Sequence, residues 1–166
     1  MKKSIVYLGV AILSFALVQN AMAQATATQT VSLAVNAVYK ITTSGNPGSL
    51  TVTTGTAGTN ALTSVSDNST KYSITQNVAG TLKVTANLNA VMTAGYQLQV
   101  NLASVLGASQ GTVDISGTTP GSALDVVSNV GMGADANQVI TYTFGALASA
   151  GTLSSTSKIV TLTLTN

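Results

Sequence analysis

Apolar and polar residues alternate along much of this chain with a period of two, the pattern of β-strands that bury one face. The longest block sets Val31, Leu33, Val35, Ala37, Tyr39 and Ile41 against Ser32, Ala34, Asn36, Val38 and Lys40. Shorter blocks follow at Leu50 and Val52, at Tyr72 and Ile74, and at Leu82, Val84, Ala86 and Leu88. The clearest places Tyr96, Leu98, Val100 and Leu102 on one side and Gln97, Gln99 and Asn101 on the other. Val113 with Ile115, Ile140 with Tyr142 and Phe144, and finally Val160, Leu162 and Leu164 complete the series. The apolar run from Leu124 to Val130 has no fixed register.

Gly, Asn, Ser and Pro bound these blocks. Asn46-Pro47-Gly48 and Thr119-Pro120-Gly121 put Pro second and Gly third, which predicts type II turns. Two short Ala-containing stretches, 88–94 and 102–108, allow at most one helical turn each. About seven to nine short strands, with turn signals about every 8–12 residues, predict an all-β fold: a single antiparallel β-sandwich of immunoglobulin-like or jelly-roll type. A closed barrel is the next choice. A membrane-spanning barrel fits less well, because it needs aromatic girdles and residues 24–166 hold only four Tyr and one Phe.

The beginning of the chain reads differently. Lys2 and Lys3 precede an apolar stretch over residues 5–18, and Ala21-Met22-Ala23 follows with small residues in Ala-x-Ala spacing. A membrane span needs about 20 apolar residues, so residues 1–23 are expected to be a secretory signal peptide, and residues 24–166 the exported domain. That domain is expected outside the cell or at its surface, with no membrane attachment once the peptide is removed. The chain has no Cys, so an exported fold of this kind relies on packing and backbone hydrogen bonds instead of disulfides.

Charge then narrows the function. Beyond the signal segment, Lys40, Lys71, Lys83 and Lys158 balance Asp67, Asp114, Asp125 and Asp135. No basic patch exists to neutralise several phosphates, so nucleic acid is not an expected partner. A neutral surface puts little repulsion between copies of the same chain.

The usual reactive groups are scarce. There is no His and no Glu, which removes the commonest general base and leaves four scattered Asp. Gly107-Ala108-Ser109-Gln110-Gly111 matches a nucleophile elbow in its letters, but a Ser nucleophile needs a base beside it. The residues around Asp67 and Asp135 offer oxygen atoms to a hard cation, yet each brings only one carboxylate, so both read as Asx-type turns. Lys40, Lys83 or Lys158 could crosslink to an Asn beside a buried carboxylate, Asp114 or Asp125; exposed strand lysines are the plainer reading. The expectation is therefore no catalytic residue, no metal and no cofactor.

Residues 24–30 are polar, free of Gly and Pro, and lead directly into the alternating block. Such a segment pairs either with its own domain as a first strand or with the open sheet edge of a neighbour. The second choice makes Val31, Leu33, Val35, Ala37 and Tyr39 a donor strand within an exchangeable segment, 24–41, and a contact of that kind repeats without closing. The signal peptide, the Cys-free Thr/Ser/Val/Asn-rich domain, this block and the closing Ser157-Lys158-Ile159-Val160-Thr161-Leu162-Thr163-Leu164 resemble bacterial pilin-type and biofilm-fibre subunits. The resemblance implies extracellular polymerisation of identical copies. The other expected class is a monomeric adhesin or carbohydrate-binding module, which needs exposed aromatic residues, whereas Tyr39, Tyr72, Tyr96 and Tyr142 fall at inward strand positions.

Overall fold

The computed structural model describes residues 25–166, so the expected signal peptide lies outside the described residues. Residues 35–166 form one compact unit; residues 25–34 are described by themselves. Nine strands occur among the described residues: β1 Tyr39–Thr43, β2 Val65–Gln76, β3 Leu82–Leu88, β4 Tyr96–Leu102, β5 Ala108–Ser109, β6 Val113–Asp114, β7 Leu124–Val130, β8 Gly133–Ala146 and β9 Val160–Thr165. The stretches 88–94 and 102–108 contain no helix, and the only helical turn described is the short 3-10 segment Ala148–Ala150.

The strands form two antiparallel sheets, ordered β1-β2-β8-β4-β6 and β5-β7-β3-β9. Both contribute to a single core. Tyr72, Ile74, Leu98, Val100, Leu102, Ile140 and Tyr142 project from the larger sheet onto Val84, Ala86, Leu88, Val126, Val127, Val130 and Leu164 of the smaller. This is the expected sandwich, held by the apolar faces that the alternation marks out. With one ion pair described, Lys83 to Asp125 at 3.0 Å on the surface, and no disulfide, apolar burial at ~25 cal/mol per Å² is the main stabilising term.

Irregularities in the strand pairing decide which residues enter that core. Between the pairs Tyr72↔Gln138 and Ile74↔Asp135, β8 carries one residue more than β2, with Asn137 in the left-handed region at φ 56°. An extra residue reverses inward and outward positions beyond it. Asp135 consequently turns into the sandwich, where it is 1% exposed, instead of forming the expected exposed Asx turn. Likewise β7 gains residues against β3, which buries the adjacent Val126 and Val127 together and fixes the register left open by the sequence.

Other local expectations are corrected. Neither Gly48 nor Gly121 has a positive φ, so neither turn is type II. At Thr119-Pro120-Gly121 the chain still reverses, with the Ser122 amide donating to the Thr119 carbonyl at 2.9 Å. Around Pro47 the bend falls instead at Gly45, φ 31°. Leu50 and Val52 form no strand, although Leu50 packs against the core from its loop.

Candidate assembly surface

The largest departure from the sequence pattern is at the start of the domain. The expected strand over residues 31–41 forms only from Tyr39 onward, and residues 25–38 join no ladder. Alternation makes a segment amphipathic, but a strand also needs an edge to hydrogen-bond. Within residues 25–34, Val31 is 71% and Leu33 89% exposed. In the compact unit, Val35 is 87% exposed, Ala37 is exposed, and Tyr39 is 59% exposed, which corrects the inward placement expected of that tyrosine. The other three tyrosines are buried as expected.

Asn77, just past β2, determines how the chain leaves β1. Its side-chain Oδ1 accepts the Val38 amide at 2.6 Å and its Nδ2 donates to the Asn36 carbonyl at 2.9 Å. Its own backbone amide donates to the Val38 carbonyl at 3.0 Å. The ladder between β1 and β2 is thereby continued by a side chain for two residues upstream. The sequence reading overlooked Asn77; an Asn directly after a strand is the one signal that pointed to it.

The two flanks of the sandwich differ. On one, the chain passes from β5 at the edge of the smaller sheet to β6 at the edge of the larger, so both edges are two-residue strands joined by a short crossing. Short edge strands offer little to an incoming chain. On the other flank β1 and β9 are the edges, five and six residues long. They approach each other without pairing, and two clefts lie along their seam. One, of about 470 Å³, is lined by Ile41, Thr42, Thr43, Val160, Thr161 and Leu162. The other, of about 140 Å³, lies among Tyr39, Val78, Leu82 and Leu164.

The charged groups are spread apart. Asp67 accepts the Ser69 hydroxyl and amide, the expected Asx geometry, and these bonds hold its pKa below the ordinary 3.8. For Asp114, partial burial pushes the pKa up, but bonds from Gln97 and Ser116 outweigh it and the net shift is downward. Asp125 meets Lys83 on the surface, and Lys158 donates to the carbonyls of Ala90 and Val91. None of these contacts is a buried Lys–carboxylate pair. Asp135 accepts from the Ser104 hydroxyl at 2.7 Å and from the amides of Val105 and Leu106 at 3.0 and 3.2 Å. It therefore fastens the loop that carries the chain from β4 in one sheet to β5 in the other.

Tyr72, whose hydroxyl donates to the Ala103 carbonyl at 2.6 Å, has its pKa pushed up to about 12, chiefly by burial, with a smaller contribution from the Asp135 charge. Ser109 of the Gly-x-Ser-x-Gly match donates to Asn101 Oδ1 and accepts the Gly111 amide; no base touches it. Among the described residues, no three His, Cys, Asp or Glu side chains gather as a metal site. No described helix is long and apolar enough to cross a membrane. Comparison with protein-family models and with curated proteins finds no match to this chain.

Proposed function

We propose that this chain is a structural subunit of an extracellular filament, pilus or surface layer, built by β-strand pairing between identical copies. The observation that carries this is the exposed, unpaired, alternating segment containing Val31, Leu33 and Val35, which leads into a sandwich whose core is drawn from other residues. Exposing three large aliphatic side chains at two-residue spacing leaves roughly 1.5–3 kcal/mol each of burial unrealised, which strand addition to a neighbour recovers. The sequence supports export through the Lys2-Lys3, apolar and Ala-x-Ala pattern of residues 1–23. The balance of four Lys and four Asp in the exported part opposes association only weakly.

A carbohydrate-binding module is the weaker reading, since Tyr72, Tyr96 and Tyr142 are buried and only Tyr39 is left to stack on a sugar. Electron microscopy of the processed chain distinguishes the two. Long uniform fibres are expected; dispersed particles of monomer size at high concentration would refute assembly.

A further inference from the structure

The open flank of the sandwich is asymmetric in a way that identifies an acceptor. β9 reads Val160-Thr161-Leu162-Thr163-Leu164-Thr165 and, among the described residues, pairs on one side only, with β3. Exposed edge strands are ordinarily guarded by charge, Pro, a bulge or brevity. This one has none of the four: its register with β3 runs unbroken from Lys83↔Thr165 to Leu88↔Val160. β1, across the seam, is shorter and carries Lys40. Val160 and Leu162 pack against the core yet stay partly exposed, because the seam beside them is open.

Resting on the filament reading above, we propose that the free edge of β9 is the acceptor and that residues 30–36 of a second copy add to it as a tenth strand, closing the seam between β9 and β1. Val31, Leu33 and Val35 occur at positions i, i+2 and i+4, as do Val160, Leu162 and Leu164. At about 3.3 Å per residue, each set spans about 13 Å along a strand. The two clefts stand at either end of that length, one at Val160 and Leu162 and the other at Leu164. Both surfaces are uncharged, so burying them together strands no ion. Backbone bonds to β9 supply affinity and the alternate side chains supply register.

Polymer geometry follows from the connection. Only residues 37 and 38 separate the donor from β1, and Asn77 grips the backbone on both sides of that joint. Donor and acceptor are different surfaces, so the contact is heterologous and propagates.

The absence of Cys allows a direct test. A full-length donor variant, Ala34→Cys, is mixed under mild oxidation with acceptor variants Thr161→Cys, Thr163→Cys or Thr165→Cys on β9. Thr42→Cys on β1 and Ser109→Cys on β5 serve as competing edges. Neighbouring strands bring Cβ atoms within disulfide reach, so at least one β9 variant is expected to give the mixed disulfide, identified by peptide mass, while Ser109→Cys gives none. Crosslinking confined to Thr42 or Ser109, or filaments with no β9 crosslink, would overturn the acceptor while leaving the filament reading intact. Monomers without filaments in the same samples would overturn the reading beneath it.

Discussion

Asp135 offers the sharpest test of how the sandwich is held shut on its sealed flank. It is a carboxylate 1% exposed in a Cys-free domain, and its Oδ2 takes three hydrogen bonds from the loop after β4 while Oδ1 has no partner among the described residues. In Asp135→Ala the part-buried Val105 and Leu106 amides lose a charged acceptor, at about 1.5–3 kcal/mol for each such hydrogen bond. The Ser104 hydroxyl also accepts the Gly107 amide at 3.0 Å, so its loosening spreads the damage along the loop. The desolvation cost that the native carboxylate bears is relieved, and that offsets part of the loss. A net destabilisation of about 3–4 kcal/mol is expected.

Asp135→Asn keeps an oxygen for the two amides and gives up only the charge-assisted part of the bonds, so about 1–2 kcal/mol is expected. Urea unfolding with an unchanged slope measures both values, and amide exchange at Val105 and Leu106 shows whether the loop opens locally. Equal losses for Asn and Ala, or a loss under about 1 kcal/mol for Ala, would refute the role of this carboxylate as a loop fastener.

Three further outcomes are expected. Gly107→Ala places a Cβ 2.7 Å from the Ser128 carbonyl and 2.8 Å from Val127 Cγ1 and should cost about 1–3 kcal/mol in denaturant midpoint analysis, while Gly117→Ala, with open space around it, should stay within about 0.5 kcal/mol. For Tyr72 the folded pKa of about 12 lies above the ordinary 10.0, so the unfolded chain releases its proton first; stability is retained below pH 10 and falls as pH rises through 12, which thermal melts across that range would show. Leu33→Asp changes a side chain 89% exposed and should leave monomer stability within about 0.5 kcal/mol, yet raise the concentration needed for filaments at least about tenfold, as read by sedimentation.

Much of the architecture was legible because burial and period coincide. In β4 the inward residues Tyr96, Leu98, Val100 and Leu102 are the buried ones, and β9 keeps the same phase, whereas in β3 the outward Thr85 and Asn87 are buried along with the inward residues. Legibility failed where a local backbone feature altered the phase. Asp135 belongs to an outward position by simple alternation from Ile140, and only the extra residue at Asn137 turns it inward. Val126 and Val127 are buried as neighbours for the same kind of reason. At Pro47 and Pro120 the dipeptide signalled a reversal but did not fix its type, since Gly permits positive φ without requiring it.

At the candidate assembly surface the alternation of Val31, Leu33 and Val35 predicted a strand that does not form before Tyr39. It could not specify a pairing partner, because that depends on which edge is open. The unguarded edge of β9 and the grip of Asn77 are properties of the folded topology, and beyond the place of that Asn directly after a strand the sequence does not mark them.

The most direct measurement removes the segment itself. Residues 24–35 are deleted, and the shortened chain is compared with the intact processed chain by circular dichroism, thermal unfolding and sedimentation. Retention of the β spectrum and of cooperative unfolding, with loss of all species larger than a monomer, is the outcome that the strand-exchange account requires. Unfolding of the shortened monomer, or undiminished polymer formation by it, would contradict that account.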